Sequence, residues 1–339
     1  MADDSILEGY GTEEDKAFES SLRPSSFDEF VGQDRLKENL NIYIRAAAQR
    51  GEALDHILFS GPPGLGKTTL AFIIAAELGT RITATSGPIL ERAGDLAGIL
   101  TNLEHGDVLF IDEIHRISAT VEEYLYAAME DFAIDILLDQ GPSARSVRLD
   151  LKRFTLIGAT TREGLLTSPL RARFGVMEKL DFYPAEEIAL ILKRNAVRLD
   201  VELDEPGCRL VAERSRGTPR VANRFLRRLR DVAQVKGNNV ITEAIALEGL
   251  DRLGVDKHGL GSMDRRILQA VARHGGGPVG VKTISVSVDE TEDTVENVYE
   301  PFLIQQGYLT KTPRGRVLTE AAYRVIGEAP PSGGQQRIF

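Results

Sequence analysis

The chain has 339 residues and a formal net charge of −10, which is enough material for two or three domains and argues against a basic surface that coats nucleic acid nonspecifically. An apolar fraction of 42% is typical of a folded protein and excludes wholesale disorder. No apolar run reaches about 18 residues, so we expect no membrane span. The single cysteine, Cys208, excludes an internal disulfide and a Cys-based zinc site, and it fits a cytoplasmic location.

The chain begins with an acidic segment. Residues 1–20 carry seven acidic residues and one lysine and lack an apolar core, so we expect no signal peptide. We interpret residues 1–21 as a solvated acidic N-terminal tail. The alternative is that the tail competes for a DNA channel.

Three apolar runs then predict buried strands, at 56–61, 108–113 and 154–161. Helical patterns separate them, which is typical of an α/β domain whose parallel sheet is covered on both faces. Ligands of such sheets bind beyond the carboxyl ends of the strands. We therefore expect an α/β domain over 22–183 with its site at that edge.

A phosphate-binding loop follows the first run. Residues 61–68, GPPGLGKT, fit the pattern G-x-x-x-x-G-K-[ST], in which glycines such as Gly64 and Gly66 let backbone N–H groups approach phosphate oxygens. Lys67 would reach the β- and γ-phosphates, and the Thr68 hydroxyl would bind Mg²⁺. The helix that follows would point its positive end at the anion.

Polar residues end the other two runs. Asp112 would hold Mg²⁺, and Glu113 would orient and deprotonate the attacking water. Thr160 and Thr161 end the third run, where a hydroxyl can contact the γ-phosphate or the water; the residues do not decide between them. The alternative is a strand-end hydroxyl that caps Arg162. Together these motifs predict nucleoside triphosphate hydrolysis.

The remaining segments indicate three further units. Residues 133–151 alternate around a turn and predict a β-hairpin. Residues 184–254 are helical and predict a small helical domain. Residues 255–328 combine three helical segments with a hairpin, which is typical of a winged helix, and 329–339 predict a flexible tail.

The order of the strings GPPGLGKTT, VLFIDEIHR, GATTR, SPLRARFG and GTPR is similar to that of AAA+ ATPases. The strings RPSSFDEFVGQ, TSGPILERAGDLAGILTNLE, RGTPRVANRFLRRLRD and EPFLIQQGYLTKTPRGR resemble the RuvB family of Holliday-junction branch-migration motors, and the resemblance runs from about 22 to 327. It implies an AAA+ P-loop parallel-sheet domain, then a small helical lid domain, then a winged-helix DNA-binding domain.

The resemblance also implies roles for individual residues. The adenine would be bordered by Leu22, Arg23 and Tyr183. The phosphates would be held by Gly64, Gly66, Lys67, Thr68 and Thr69. The nucleotide region would include Glu130, Asp131 and Phe132, with Arg173 as a finger reaching a neighbouring subunit's ATP and Arg220 as a sensor of the bound phosphate. A finger supplied in trans implies a ring, and the family implies a homohexamer.

The family's partners imply two further surfaces. The hairpin would dock RuvA through Val147 and Leu149, although both could instead pack on this chain's own sheet. DNA backbone contacts would come from the wing, from Lys311, Arg314 and Arg316, because the segment between Val288 and Gly307 is acidic and has no base. Glu292 departs from the basic residue that the family commonly has nearby.

The motifs and the resemblance together imply a cytoplasmic, ATP- and Mg²⁺-dependent motor that drives branch migration of double-stranded DNA at Holliday junctions with RuvA, and indirectly with the RuvC resolvase. Two alternatives are a clamp-loader-like subunit and a nucleotide-switched DNA-binding initiator. The first usually carries Ser-Arg-Cys where this chain has SPLRARF, and often a zinc module. The second would show a basic recognition helix.

Overall fold

The computed structural model describes residues 13–137 and 146–330. The chain divides into two compact units, Arg23–Asp181 and a second unit that joins the segment ending at Leu22 to all residues from Phe182 onward. The first helix, α1 (Glu13–Ser21), belongs to the second unit. In the described ranges, no helix is long and apolar enough to cross a membrane.

The unit Arg23–Asp181 is built on a five-stranded parallel sheet. Its elements in chain order are α2 (Asp34–Arg50), β1 (Ile57–Ser60), α3 (Lys67–Leu78), β2 (Ile82–Ser86), α4 (Ala93–Leu100), β3 (Val108–Asp112), α5 (Ala119–Glu130), β4 (Ala133–Leu137), β5 (Ser146–Asp150), β6 (Thr155–Thr160), α6 (Ser168–Ala172) and β7 (Val176–Lys179). The sheet order is β2-β3-β6-β1-β7, and every neighbouring pair is parallel. The predicted α/β class and its three apolar strands are confirmed, while β2 and β7 were not predicted.

The register of the central strands brings the predicted motifs to one edge. Ser60 at the end of β1 pairs with Thr160 at the end of β6, and β3 ends beside them at Asp112. The opposite edge is formed by the residues that precede the strands, among them His56 before β1 and Phe154 before β6. Four or more fully apolar positions in a strand are expected where both sheet faces are covered, and β1 and β6 are buried throughout.

The predicted hairpin is present as β4 and β5, which pair antiparallel from Ala133↔Asp150 to Leu137↔Ser146. The segment between these strands lies outside the described residues. Tertiary packing holds the base of the hairpin, because Ile134 is buried in the core of the sheet.

From Phe182 onward, the second unit contains first the predicted helical domain. Its elements are α7 (Ala185–Arg198), β8 (Glu202–Leu203), α8 (Glu205–Arg214), α9 (Pro219–Lys236), β9 (Val240–Ile241) and α10 (Glu243–Arg252). Side-chain caps define where α8 and α10 start, since Asp204 accepts from the Gly207 amide and Thr242 from the Ile245 amide. Helix α9 buries one apolar face, including Phe225 and Leu229, and leaves its arginines on the other.

The winged-helix part completes the unit. It comprises α11 (Ser262–Arg273), α12 (Val281–Val288), α13 (Glu292–Thr294), α14 (Glu300–Gln305), β10 (Leu309–Thr312), β11 (Gly315–Leu318) and α15 (Glu320–Ile326). A π-helical turn, Val295–Tyr299, joins α13 to α14. Pro301 lies in the first turn of α14, directly after this wider turn, where its missing N–H costs little.

The interpretation of the N-terminal acidic segment as solvated is wrong for its described part. Residues 13–21 form α1, and two of its acidic side chains, those of Asp15 and Glu19, pair with arginines of α9. Of the predicted tail at the other end, 331–339 lie outside the described residues, as do 1–12.

Candidate functional site

The loop after β1 has the backbone that phosphate binding requires. Gly61, Gly64 and Gly66 have φ values of 131°, 79° and 107°, a region that side chains disfavour. A Cβ on Gly61 would lie 2.5 Å from the Leu180 carbonyl oxygen, so no other residue fits there. The loop leads directly into α3, whose N-terminal amides face the anion position.

Lys67 and the hydroxyls that follow it occupy the first turn of α3. The Lys67 Nζ donates to the carbonyl oxygens of Gly61 (2.6 Å) and Pro62 (2.8 Å), so the ammonium group is held across the loop. Thr68 and Thr69 are half-buried beside it. The three side chains therefore lie together, as the loop motif predicts.

A pair of hard oxygen ligands joins the loop to β3. Thr68 Oγ1 lies 3.5 Å from Asp112 Oδ2, although the two residues are 44 positions apart in the chain. A hydroxyl and a carboxylate are donors that suit Mg²⁺, which keeps several of its waters. These two residues therefore fit a magnesium ion bound together with substrate phosphates.

Glu113 stands at the end of β3 in a left-handed conformation with φ 48°. This turn directs the backbone away from the strand, and the carboxylate accepts from Arg116 Nη1 at 2.8 Å. The Glu113 side chain is 43% exposed, so water has access to it. A general base needs that access, and Arg116 is a partner that sequence reasoning did not assign.

The two candidate threonines differ in their surroundings. Thr160 is buried, and its hydroxyl hydrogen-bonds with His115 Nδ1 (2.9 Å) and accepts from the Arg162 amide (3.0 Å). The capping of Arg162 that was the alternative for these hydroxyls is therefore present at Thr160. Thr161 is the first residue beyond β6 and is half-buried.

Arg173 lies at the opposite edge of the sheet from the phosphate loop. It follows α6 and closely precedes β7, and the adjoining Gly175 packs on Asp55, which comes before β1. Its Nη2 pairs with Glu130 Oε2 at 2.7 Å, and its guanidinium lies 4.5 Å from the centroid of the Tyr126 ring. Since β1 alone separates the edges by about 13 Å, this arginine does not belong to the phosphate loop of its own chain.

The rest of the 130–132 segment is at the same edge as Arg173. The Phe132 ring packs against Phe154 and His56, with centroids 5.9 and 6.1 Å away, and Asp131 caps α5. Phe132 therefore does not contact its own phosphate loop. The segment and Arg173 therefore lie on one surface, away from the phosphate loop of the same chain.

Hydrogen bonds within the second unit hold the residues that the resemblance assigns to the nucleotide. The Tyr183 amide donates to the Gly217 carbonyl (2.9 Å), in the turn that leads to Arg220. The Leu22 carbonyl accepts from Arg198 Nη1 (3.1 Å), which fixes the segment after α1 to α7. Leu22 and Tyr183 are both buried. Arg23 belongs to the other unit, where its guanidinium stacks on Phe72 at 4.8 Å.

The two hairpin residues divide between surface and core. Val147 is 38% exposed. Leu149, by contrast, packs against the sheet's core. The alternation predicted from sequence thus separates one residue that is available to a partner from one that already contributes to the fold.

The wing differs from expectation at Arg316. Its side chain is 8% exposed and pairs with the buried Glu300 and with Glu296. Although burial alone would lower the pKa of Arg316, the hydrogen bonds that its guanidinium donates to these carboxylates raise it. This burial corrects the expectation that Arg316 is exposed on the wing, while its contact with DNA stays a prediction. Lys311 is exposed but lies 3.1 Å from Glu296, and Arg314 is exposed at the wing turn.

Sequence reasoning also missed a buried arginine in the turn before Arg220. Arg216 has φ 59°, donates to the Gly259 carbonyl (3.0 Å) and pairs with Asp264, which has no exposed surface. Its guanidinium also stacks on Phe302 at 4.5 Å. These contacts join the helical lid to the winged helix. In the sequence, Arg216 is one arginine among several in a basic segment, and such residues are usually exposed. Nothing in the sequence therefore distinguished it as buried.

Comparisons with known proteins identify the family of the chain. Residues 22–180 match the family model for the Holliday junction DNA helicase RuvB P-loop domain, 183–256 the RuvB AAA lid domain, and 257–327 the RuvB C-terminal winged helix domain. The Holliday junction branch migration complex subunit RuvB of Myxococcus xanthus is 61% identical over 327 residues, which cover 96% of this chain and 95% of that one. Its counterpart in Salinibacter ruber is 58% identical over 95% of this chain and 94% of that one. The solved structure of the Thermotoga maritima RuvB Holliday junction branch migration motor has a TM-score of 0.85 and 49% identity, over 92% of this chain and all of that one.

Proposed function

Since the chain belongs to the RuvB family of AAA+ ATPase motors, we propose that it is an ATP-driven DNA translocase that moves Holliday junctions as part of a hexameric ring with RuvA. The observation that carries the proposal is the meeting of the phosphate loop with Asp112 and Glu113 at one edge of the sheet, in a chain that matches the family along almost its whole length.

The chemical step would use residues of that edge. The backbone amides of the loop and the Lys67 ammonium bind and orient the triphosphate, which lowers the entropic part of the barrier. Thr68 and Asp112 would hold Mg²⁺, which supplies charge neutralisation at the transferring phosphoryl group when bound. Glu113 takes the proton of the attacking water. We assign the phosphate-facing hydroxyl to Thr161, because the Thr160 hydroxyl is engaged by His115 and Arg162.

A neighbouring subunit would complete each site. Arg173 lies at the edge remote from its own loop, so a finger role is possible only toward a second copy of the chain, and closed repetition of such a head-to-tail contact gives a ring. The segment with Glu130, Asp131 and Phe132 lies on the same surface and would border the neighbour's nucleotide. An arginine supplied in this way stabilises charge that develops on the phosphoryl oxygens.

Movement would pass from the lid to the DNA. Leu22 and Tyr183 would border the adenine, with Arg23 from the sheet unit, and Arg220 would sense the terminal phosphate. Arg220 lies in the first turn of α9, and the turn before that helix contains Arg216, whose buried pair with Asp264 ties the lid to the winged helix. A change at Arg220 therefore has a rigid path to the wing, where Arg314 and Lys311 would contact the DNA backbone with little sequence preference.

The partners follow from the same surfaces. Val147 would dock RuvA, with Leu149 supporting the hairpin from within, and the RuvC resolvase would act on the same junctions without direct contact. Because the substrate is chromosomal DNA, we place the complex in the cytoplasm. Family membership disfavours the clamp-loader-like and initiator alternatives, and so does the acidic helix where an initiator needs a basic one.

A synthetic four-way junction tests the proposal. With RuvA, ATP and Mg²⁺, the wild-type chain should convert the junction into two duplexes, and Lys67→Ala should not. The matched control is Lys37→Ala, which removes a lysine paired with Asp34 in α2, away from the loop. Full ATPase activity without junction movement in the presence of RuvA would refute the motor function.

A further inference from the structure

Helix α1 lies along the basic face of α9, and acidic residues on one helix meet arginines on the other. Arg227 Nη1 is 2.7 Å from Asp15 Oδ1, Arg220 Nε is 3.2 Å from Glu19 Oε2, and Arg224 Nη2 is 3.5 Å from Glu19 Oε1. Asp15 and Glu19 are four residues apart and so share a face of α1. One carboxylate, that of Glu19, thus serves two arginines.

Helix α1 is also held by contacts other than its ion pairs. The Phe18 ring lies under the Arg227 guanidinium at 4.8 Å, and Leu22, directly after the helix, is 2% exposed and held through its carbonyl by Arg198. Such contacts give the segment a defined position on the lid. Glu19 is therefore presented to Arg220 by a fixed element and not by a freely moving tail.

Arg220 is also the residue to which the proposed function assigns the terminal phosphate, and this inference rests on that assignment. Carboxylate and phosphate oxygens use the same guanidinium donors in the same geometry. We propose that Glu19 is an internal competitor for the terminal phosphate of ATP: it holds Arg220 in the nucleotide-free protein and is exchanged for the phosphate when ATP binds. ATP binding would then depend on a residue from outside the ATPase motifs.

The positive charge on α9 determines whether removal of the Glu19 charge strengthens or weakens ATP binding. Burial lowers the pKa of Arg224, nearby Glu19 opposes that shift, and the positive charge of Arg220 adds to it. Without Glu19, the two guanidinium groups one turn apart have lost their shared carboxylate, so an incoming anion is attracted more strongly. Removal of the Glu19 charge should therefore tighten ATP binding.

The expected size follows from exposure. The side chains of Arg220 and Glu19 are 33% and 25% exposed, so water and salt screen the pair. A pair of this kind shifts a binding equilibrium by about two- to fivefold. ADP lacks the terminal phosphate, and its affinity should stay unchanged.

Equilibrium binding of fluorescent ATP and ADP analogues to the full chain tests the competition. Glu19→Gln keeps the shape of the side chain and removes its charge, and it should lower the Kd for ATP about two- to fivefold without changing the Kd for ADP. Glu19→Asp keeps the charge on a shorter side chain and should lie between Gln and wild type. Asp15→Asn is the matched control, since it removes the neighbouring pair with Arg227 on the same helix, and both affinities should be unchanged.

Arg220→Ala separates failure of this inference from failure of the assigned role. If Arg220→Ala loses the preference for ATP over ADP, and Glu19→Gln in that background has no further effect, competition at Arg220 is supported. If Arg220→Ala loses the preference but Glu19→Gln alone leaves ATP binding unchanged or weaker, the competitor is refuted and the sensor stands. If Arg220→Ala keeps the preference, the sensor assignment itself is wrong and the competition falls with it.

Discussion

Arg316 in β11 and Glu300 in α14 form an ion pair inside the winged helix, with Arg316 Nη2 3.0 Å from Glu300 Oε2. Both side chains are less than a tenth exposed, and Glu296 accepts from the same guanidinium at 2.6 Å. A paired buried charge adds little net stability, but the loss of one partner leaves the other charge uncompensated. Strand β11 of the wing is thus tied to α14 by Arg316, a residue that the sequence analysis had assigned to DNA binding.

The first prediction separates the two arginines of the wing. Arg316→Ala should lower the free energy of unfolding by about 3–5 kcal/mol, because it strands the Glu300 carboxylate in the interior. Arg314→Ala should leave stability within about 0.5 kcal/mol, since Arg314 is exposed, and should weaken duplex binding and its dependence on salt. Thermal unfolding and DNA titrations at two salt concentrations measure both. Equal stability for the two variants would contradict the structural role of Arg316.

The second prediction concerns the water-activating carboxylate. Glu113→Gln should bind ATP with near wild-type affinity and hydrolyse it about 10²–10⁴ times more slowly, because an amide cannot accept the proton of the attacking water. Nucleotide binding and steady-state phosphate release give the two numbers. The comparison variant is Arg116→Ala, which frees the carboxylate from its 2.8 Å partner and keeps the base. Wild-type turnover by Glu113→Gln would remove Glu113 from the role.

The third prediction tests the finger in trans. Arg173→Ala and Glu113→Gln subunits should each be nearly inactive alone. When the two variants are mixed equally, about one quarter of the sites would combine an intact Glu113 with a neighbour's intact Arg173. The ATPase activity of the mixture should therefore rise to about one quarter of the wild-type value. Activity that stays at the level of the separate variants would show that Arg173 does not act across the ring interface.

The fold could be predicted from the sequence where buried strands are made of consecutive apolar residues. Strands β1, β3 and β6 are covered on both faces and therefore appear as uninterrupted apolar runs. The edge strands β2 (Ile82–Ser86) and β7 (Val176–Lys179) are partly exposed, so they mix apolar and polar residues and leave no such run. The loop, Asp112 and Glu113 could likewise be located, because strand ends in a parallel sheet share one edge.

Charged residues were harder to predict, because sequence does not tell a paired charge from a solvated one. Arg216, Arg220 and Arg316 all lie in basic stretches, yet Arg216 and Arg316 are buried against carboxylates and Arg220 faces Glu19. The partner of Arg220 is 201 residues away in the chain. Long-range pairing of this kind depends on tertiary structure and leaves no local pattern.

The fourth prediction is a pH dependence of stability that originates at His56. The imidazole ring packs against Phe132 and Phe154 at the sheet edge opposite the phosphate loop, and its burial lowers its pKa. Its Nδ1 atom accepts a hydrogen bond from the Leu156 amide. Protonation would place a hydrogen on Nδ1 and break that bond. In the unfolded chain the imidazole titrates near its ordinary value of about 6.5.

The sign follows from proton binding. Between the lowered pKa of the folded state and the ordinary value, the unfolded chain binds more protons, so stability rises with pH in that window. The His56 contribution is thus complete above about pH 6.5 and is lost as the pH falls below it. Unfolding midpoints in denaturant between pH 7.5 and 5 should fall for the wild type and fall less for His56→Gln. Identical slopes for the two proteins would contradict a neutral buried imidazole.

The last prediction uses the division between Val147 and Leu149 on β5. Val147→Asp places a charge on an exposed position, so stability and basal ATPase should be kept while the Kd for RuvA rises about tenfold or more, as it does when an apolar contact in an interface is lost. Leu149→Asp instead buries a charge against the sheet's core and should lower the free energy of unfolding by about 1–3 kcal/mol. Binding to immobilised RuvA, thermal unfolding and ATPase assays distinguish the two. If Val147→Asp lowered stability and activity as much as Leu149→Asp, Val147 would belong to the fold, and the docking surface for RuvA would have to lie elsewhere on the sheet unit.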